Sequence, residues 1–308
     1  MMSSEPKKLL PDSKWKHFDL YQRVRDIIFS LPGHFSTTTH IEGISATDIF
    51  TLNSALGATI ENQVVDTLNR VRSVWDPSGK YRLYSFIRQA QTFPDVLLTK
   101  KISESENTIQ DEIILGIELK GWYLLAKEGE PSFRFQVTPP ACAVADLVVV
   151  VPWTLSNVIS GSPRIFTPYI ESARYAAEYR NYWWQSLRDA KTNSGIISPD
   201  SVCPYPKKSD RISDTPKSDQ GGNFGRFSRS GIMDDYIKGI NTQLICGIRA
   251  DHWRDFFKLF HEQADLEKIR TKIEQLRKKF ADNLSIRDTE QFFERLLSLM
   301  EEFGLDIQ

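Results

Sequence analysis

The chain has 308 residues, 40% of them hydrophobic and 26% charged, which suits a globular protein of one large domain or two small ones. Lys+Arg total 39 against 40 Asp+Glu, so a net charge of −1 excludes a uniformly basic surface, and any DNA-binding face must arise from uneven distribution. Cys142, Cys203 and Cys246 are too few and too far apart for a disulfide framework or zinc site; Met1–Lys8 has no apolar core for a secretory signal; and the Leu147–Val151 run is too short to span a bilayer. A cytoplasmic protein without a membrane partner is expected.

Residues 1–12 read as a disordered lead. Phe18, Tyr21, Val24, Ile27, Ile28 and Leu31 recur at helical spacing, and Pro32-Gly33 ends that helix. His34 and His40 follow in a loop, as exposed histidines or a metal-ligating pair. A second helix covers Leu56–Val74, with Ile60, Val64, Leu68 and Val71 on one stripe and Glu61 among them. Trp75–Gly79 is a turn, Tyr81–Ile87 alternates as a strand, and Arg88–Gln91 connects it to the next.

Two further strands carry the chemistry. Val96-Leu97-Leu98 follows Pro94-Asp95, and Ile113–Leu119 is apolar except for Glu118. The polar stretch Lys100–Asn107 suits a hairpin loop between them. Antiparallel pairing brings Asp95 close to Glu118 and Lys120. Alternation along a strand sets Glu118 and Lys120 on one face and Leu119 on the other. Two neighbouring carboxylates repel unless a cation lies between them, and Mg²⁺ commonly uses one or two carboxylates together with substrate phosphate. A lysine beside them can orient a water and offset charge building on a phosphate. A cross-strand ion pair at a sheet end is the non-catalytic alternative.

Phe133–Val137 reads as a short strand, and Asp146–Val151 as a strand buried on both faces that ends at Pro152-Trp153. Thr167–Leu187 reads as a helix with Tyr169, Tyr175, Tyr179, Tyr182, Trp183 and Trp184 interleaved with Arg174, Arg180 and Arg188. It is either an amphipathic core helix with arginines outward or a face for DNA or a second subunit. Within Tyr205–Gly231, Lys207, Lys208, Arg211, Lys217, Arg226 and Arg229 stand against Asp210, Asp214 and Asp219, among many Ser, Pro and Gly. This is a surface loop or a segment that orders on DNA. Ile232–Ile248 has no single periodicity, whereas Asp251–Glu262, Leu266–Phe280 and Asp288–Phe303 read as helices.

Pro94-Asp95, the 22 residues 96–117, and then Glu118-Leu119-Lys120 resemble the signature of the PD-(D/E)xK nuclease superfamily, and within it a type II restriction endonuclease. The resemblance covers the motif and its context, Leu52–Trp153. It implies an α/β fold: a restriction-endonuclease-like core of a mixed β-sheet flanked by helices, with an added C-terminal helical region. The corresponding divisions are 1–44, an N-terminal helical lead; 45–190, the nuclease core; 191–231, a basic Gly/Ser/Pro-rich loop; and 232–308, mostly helical. It further implies catalysis by Asp95, Glu118 and Lys120, with Mg²⁺ on Asp95, Glu118 and the Leu119 carbonyl. Glu61 is a further candidate ligand by placement, or an ordinary solvated helix charge. Lys207, Lys208, Arg211, Arg226 and Arg229 are the expected contacts to double-stranded DNA. A homodimer and functional pairing with a DNA methyltransferase complete the expectation. The alternatives are a repair or structure-specific nuclease and a non-catalytic nucleic-acid-binding module.

Overall fold

The computed structural model describes residues 4–45, 48–89, 92–100, 112–188 and 194–261, with isolated positions 267, 271 and 274–275. The hairpin loop expected at Lys100–Asn107, beyond its first residue, and the helices expected at 266–280 and 288–303 lie outside the described residues, isolated helical positions apart. The elements in chain order are α1 (Phe18–Phe29), α2 (Leu52–Arg70), α3 (Arg72–Trp75), β1 (Tyr84–Arg88), β2 (Val96–Lys100), β3 (Ile113–Tyr123), β4 (Leu147–Leu155), β5 (Pro163–Ile165) and β6 (Tyr169–Ser172). There follow α4 (Ala173–Tyr182), continued by a π-helical turn at Trp183–Leu187, then β7 (Ile196–Ile197), β8 (Thr215–Pro216), α5 (Asp234–Asn241), β9 (Leu244–Ile245), β10 (Ile248–Arg249) and α6 (Ala250–His261).

The central sheet is mixed, and helices flank it. Its order is β1-β2-β3-β4-β5, with β6 also on β4. β1, β2 and β3 form an antiparallel meander, β3 and β4 run parallel, and β5 and β6 return antiparallel to β4. Every residue of β4 is buried, as its unbroken apolar run requires. The strand does not stop before Pro152-Trp153 as expected but runs on to Leu155. β6 pairs with 147–150 and β5 with 153–155, so Pro152 falls in the interval between them, where its missing N–H breaks no ladder. α1 and α2 lay Val24, Ile27, Ile28, Ile60, Val64 and Leu68 into the same core as the sheet.

Several expectations are corrected. The helix expected from Thr167 begins only at Ala173; Tyr169–Ser172 is a strand, and Ser172 caps the helix by accepting from the Tyr175 N–H at 3.3 Å. Arg180 points inward, only 2% exposed. Phe133–Val137 is not a strand: Arg134 and Val137 form single bridges to Arg226 and Ser213. The lead is ordered from residue 4, and Lys8 pairs with Glu171 and lies 5.1 Å over the Tyr175 ring. Ile232–Ile248 resolves into α5 and the β9–β10 hairpin. No described helix is long and apolar enough to cross a membrane.

The segment 194–231 is anchored, not loose. Phe224 and Phe227 are fully buried, and Asp214, with no exposed surface, meets Arg180. Arg180 also donates to the carbonyls of Phe135 at 2.7 Å and Val137 at 3.1 Å, while Asn181 donates to Asp214 at 2.8 Å. Ser, Pro and Gly set the turns of this segment, while a few buried side chains fix it to the core.

Candidate active site

The site forms where β3 outruns β2. Their ladder ends at Val96↔Ile117, and β3 continues six residues further, to Tyr123. On that stretch side chains replace the missing strand. The Leu119 N–H donates to Asp95 Oδ2 at 3.1 Å, the Gly121 N–H to Glu61 Oε1 at 3.1 Å, and the Tyr123 N–H to Asn53 Oδ1 at 2.8 Å. Asn53 and Glu61 lie two turns apart on α2, so one helix face closes the strand's open edge. Buried backbone donors must be paired. Here the pairing places carboxylates on a sheet edge.

Asp95 immediately precedes Val96, and extending the register by one residue sets it across from Glu118. Its N–H lies 3.4 Å from Glu118 Oε2, and its carbonyl accepts from the Gln89 N–H at 2.6 Å. Pro94 before it packs on Gly116, where a Cβ would lie 2.2 Å from the Pro94 ring and 3.0 Å from Asp146 Oδ1. Gly116 therefore has to lack a side chain for the Pro-Asp pair to seat. Asp146 ties this corner down by accepting from the N–H groups of Gly116 and Ala143, both at 2.7 Å, and from the Tyr205 hydroxyl at 3.1 Å.

Glu118 and Lys120 are both partly exposed and flank the buried Leu119, as strand alternation requires. The Lys120 ammonium lies 3.4 Å from Glu61 Oε1. Glu61 is 7% exposed, so it is not a solvated helix charge; its second oxygen, Oε2, accepts from Arg88 at 3.0 Å. The Leu119 N–H faces Asp95, and because a strand residue's N–H and C=O leave on one side, its carbonyl faces the same edge.

Three carboxylates thus meet two cations. Burial pushes the Asp95 carboxyl up to about 6; the Leu119 N–H pulls it down, the Glu61 charge adds to the rise, and Arg88 and Lys120 oppose it. Burial also holds Glu118 well above the usual carboxylate range, and the charge of Asp95 raises it further. Asp95 Oδ1 and Glu118 Oε1 accept no hydrogen bond from a described residue. Among the described residues no group of three or more His, Cys, Asp or Glu is arranged to hold a metal ion. A facing carboxylate pair with free oxygens and mutual repulsion still fits a hard divalent cation that keeps several waters.

Of the residues singled out in the sequence, Asp95, Glu118, Lys120, Leu119 and Glu61 converge at this edge. Arg226 and Arg229 instead pair with Glu130, at 3.2 and 3.0 Å, and the Arg226 side chain is 14% exposed. Lys207, Lys208 and Arg211 are exposed. Sequence reasoning missed Arg88, treated only as a connector, and Asn53. The only sequence signal for Arg88 was a cation at the end of a strand; its partner Glu61 lies 27 residues earlier. His34 and His40 are exposed, and His40 Nδ1 lies 3.4 Å from Ser162 Oγ. Cys142 is buried, Cys203 is exposed, and Cys246 Sγ lies 3.4 Å from the Ser156 carbonyl.

No protein-family model matches the chain, and no curated protein or solved structure is significantly similar to it.

Proposed function

We propose that the chain is a Mg²⁺-dependent, sequence-specific endonuclease of the type II restriction class that hydrolyses phosphodiester bonds in double-stranded DNA. One observation carries the reading: Asp95 and Glu118 face each other where β3 runs beyond β2, each with an unused oxygen and within the field of the Lys120 ammonium. The mixed sheet with flanking helices is compatible with a restriction-endonuclease-like core.

In the proposed mechanism, Asp95 and Glu118 hold the cation, with the Leu119 carbonyl as a third oxygen. Bound Mg²⁺ would polarise the phosphate, lower the pKa of water and neutralise the leaving 3′ oxygen. Lys120 orients the attacking water and offsets charge on the phosphate. The partial burial of the pair keeps these charges effective, because fields are screened less away from bulk water. The described residues hold one such centre, so cutting both strands calls for two copies, whose symmetry would match a palindromic target. Lys207, Lys208 and Arg211 are exposed cations available to the DNA backbone, and a DNA methyltransferase would protect the host's own sites.

The test is incubation of the protein with unmethylated phage DNA and Mg²⁺. Discrete fragments are expected, with none in EDTA or with Ca²⁺, whose looser coordination supports binding while misplacing the water. Lys120→Ala should retain specific DNA binding in a gel shift and yield no fragments. Nicks or cuts that follow DNA structure and not sequence would favour a repair enzyme. No metal-dependent cleavage of supplied target DNA would leave a binding module.

A further inference from the structure

We propose that Arg88 is a positioning residue of this centre: it holds one oxygen of Glu61 so that the other stays on Lys120, making Glu61 the lysine's anchor and not a third ligand of the cation. The inference rests on the nuclease reading and deepens it.

Arg88 ends β1, opposite Val96, so it sits beside the strand position that leads into Asp95. Its guanidinium is clasped by one turn of α2. Nη1 donates to the Ala58 carbonyl at 3.3 Å and to Asn62 Oδ1, and Nη2 donates to Glu61 Oε2 at 3.0 Å. Positions 58, 61 and 62 share one helix face. The planar fork of arginine reaches the three acceptors from two separate nitrogens in fixed geometry, whereas a lysine would have to serve them from one.

This clasp fixes how Glu61 divides its charge. Oε2 is taken by Arg88, and Oε1 accepts from both the Gly121 N–H and Lys120. The carboxylate is therefore turned along the sheet edge toward cations and an amide, whereas Asp95 and Glu118 keep free oxygens. Arg88 also answers a charge problem. A lone Glu61 would engage the ammonium of Lys120 fully and leave it less available to a phosphate. With Arg88 carrying part of that charge, the ammonium is oriented but not consumed. Arg88 remains 33% exposed at its side chain, beside a groove of about 700 Å³ lined by Asn62, Asn69, Arg72 and Ser85, so substituting it need not open the core.

Ca²⁺ binding, followed calorimetrically without turnover, separates the roles. Glu61→Gln should keep Ca²⁺ affinity near that of the wild-type protein while slowing single-turnover Mg²⁺ cleavage about 10- to 100-fold, the range for groups that orient others. Arg88→Ala should slow cleavage similarly yet tighten Ca²⁺ binding, by about tenfold, because a positive charge leaves and Glu61 becomes free to turn. Arg88→Lys should restore wild-type Ca²⁺ affinity and only part of the cleavage rate. The double variant Glu61→Gln/Arg88→Ala should be no slower than the worse single variant. Loss of Ca²⁺ binding in Glu61→Gln comparable to that in Asp95→Asn would overturn the proposal, since Glu61 would then be a ligand. So would full cleavage by Arg88→Ala. If Asp95→Asn and Glu118→Gln both bound Ca²⁺ like the wild type, the nuclease reading itself would fall, whatever Arg88 does.

Discussion

Two charge networks among the described residues are built from similar parts, one fully buried and one half-exposed, and they behave as opposites. In the first, a pin between α4 and the 194–231 segment, Arg180 and Asp214 are 3% and 0% exposed at their side chains, one charge cancels the other, and the spare arginine donors end on carbonyls. At the strand edge, Glu61, Asp95 and Glu118 outnumber Lys120 and Arg88, and two carboxylate oxygens stay open. The pin joins the 194–231 segment to the body, and burial pulls its arginine down to about 10 while Asp214 opposes the shift, so Arg180 stays charged at neutral pH. Full burial and balanced charge mark a group that serves the fold. Surplus like charge held open by strand geometry marks one that awaits a cation.

The largest effect should come from breaking this contrast at the pin. Asp214→Ala strands a buried guanidinium and should cost ~3–5 kcal/mol in urea unfolding. Asp95→Asn should do the reverse: it removes one of two repelling carboxylates, keeps an oxygen for the Leu119 N–H, and should raise stability at neutral pH by on the order of 1 kcal/mol while abolishing cleavage. Equal destabilisation by the two substitutions would mean that the edge carboxylates are structural after all.

The pH dependence sharpens the same point. Asp95 titrates near 6 in the folded chain against an ordinary value of 3.8, so its contribution to stability is complete below 3.8 and is lost as pH rises through about 6. Glu118 shifts in the same direction. The metal-free protein should therefore lose stability between about pH 4 and 7, and Asp95→Asn should lose less. Asp146, also pushed up to about 6 by burial, is common to both proteins and cancels in the difference. Ca²⁺ at pH 7 should recover part of the loss in the wild type only. Parallel urea midpoints across this range for the two proteins would contradict the assignment.

Sequence periodicity made the edge legible and the pin nearly invisible. Pro-Asp before one apolar run and Glu-x-Lys within another placed Asp95, Glu118 and Lys120 on adjacent strands, because strand alternation is local. Glu61 was visible as a position but not as a contact, since only the packing of α2 on β3 decides that it meets the Gly121 N–H. Tyr169–Ser172 read as helix because four residues are too few to set a period apart from the helix that follows, and pairing with β4 decided it as a strand. Asp214 looked like one more charge in a serine- and glycine-rich stretch; its buried partner lies 34 residues earlier in the chain. Long-range pairing of single polar residues leaves no periodic trace.

A smaller effect is expected on DNA affinity. Lys207, Lys208 and Arg211 are exposed, whereas Arg226 and Arg229 are committed to Glu130. Replacing the three exposed residues by Ala should reduce the salt slope of binding by roughly one for each phosphate that is no longer neutralised. The Arg226→Ala/Arg229→Ala pair should change that slope less. The opposite ranking in anisotropy titrations at several salt concentrations would mean that Glu130 releases its arginines to DNA.

The smallest effect probes how finely the helix positions the edge. A Cβ at Gly121 would lie 3.3 Å from the Gly57 carbonyl of α2 and 3.6 Å from its Cα, close enough to push the helix by a few tenths of an ångström. Asn53 and Glu61 ride on that helix, so Gly121→Ala should lengthen the distances from Glu61 to Gly121 and Lys120 together. The cost should be about 1 kcal/mol of stability, typical of mild overpacking, and a few-fold slower cleavage, since a displacement of about 1 Å costs on the order of a hundredfold. Gly57→Ala is the matched control. A Cβ there meets nothing within 4 Å, and alanine favours the helix, so stability should rise while cleavage holds. If Gly121→Ala lowered stability yet cut DNA at the wild-type rate, the spacing between Glu61 and Lys120 would not limit catalysis. Anchoring of the lysine by Glu61 would then belong with the pin, as a device of the fold.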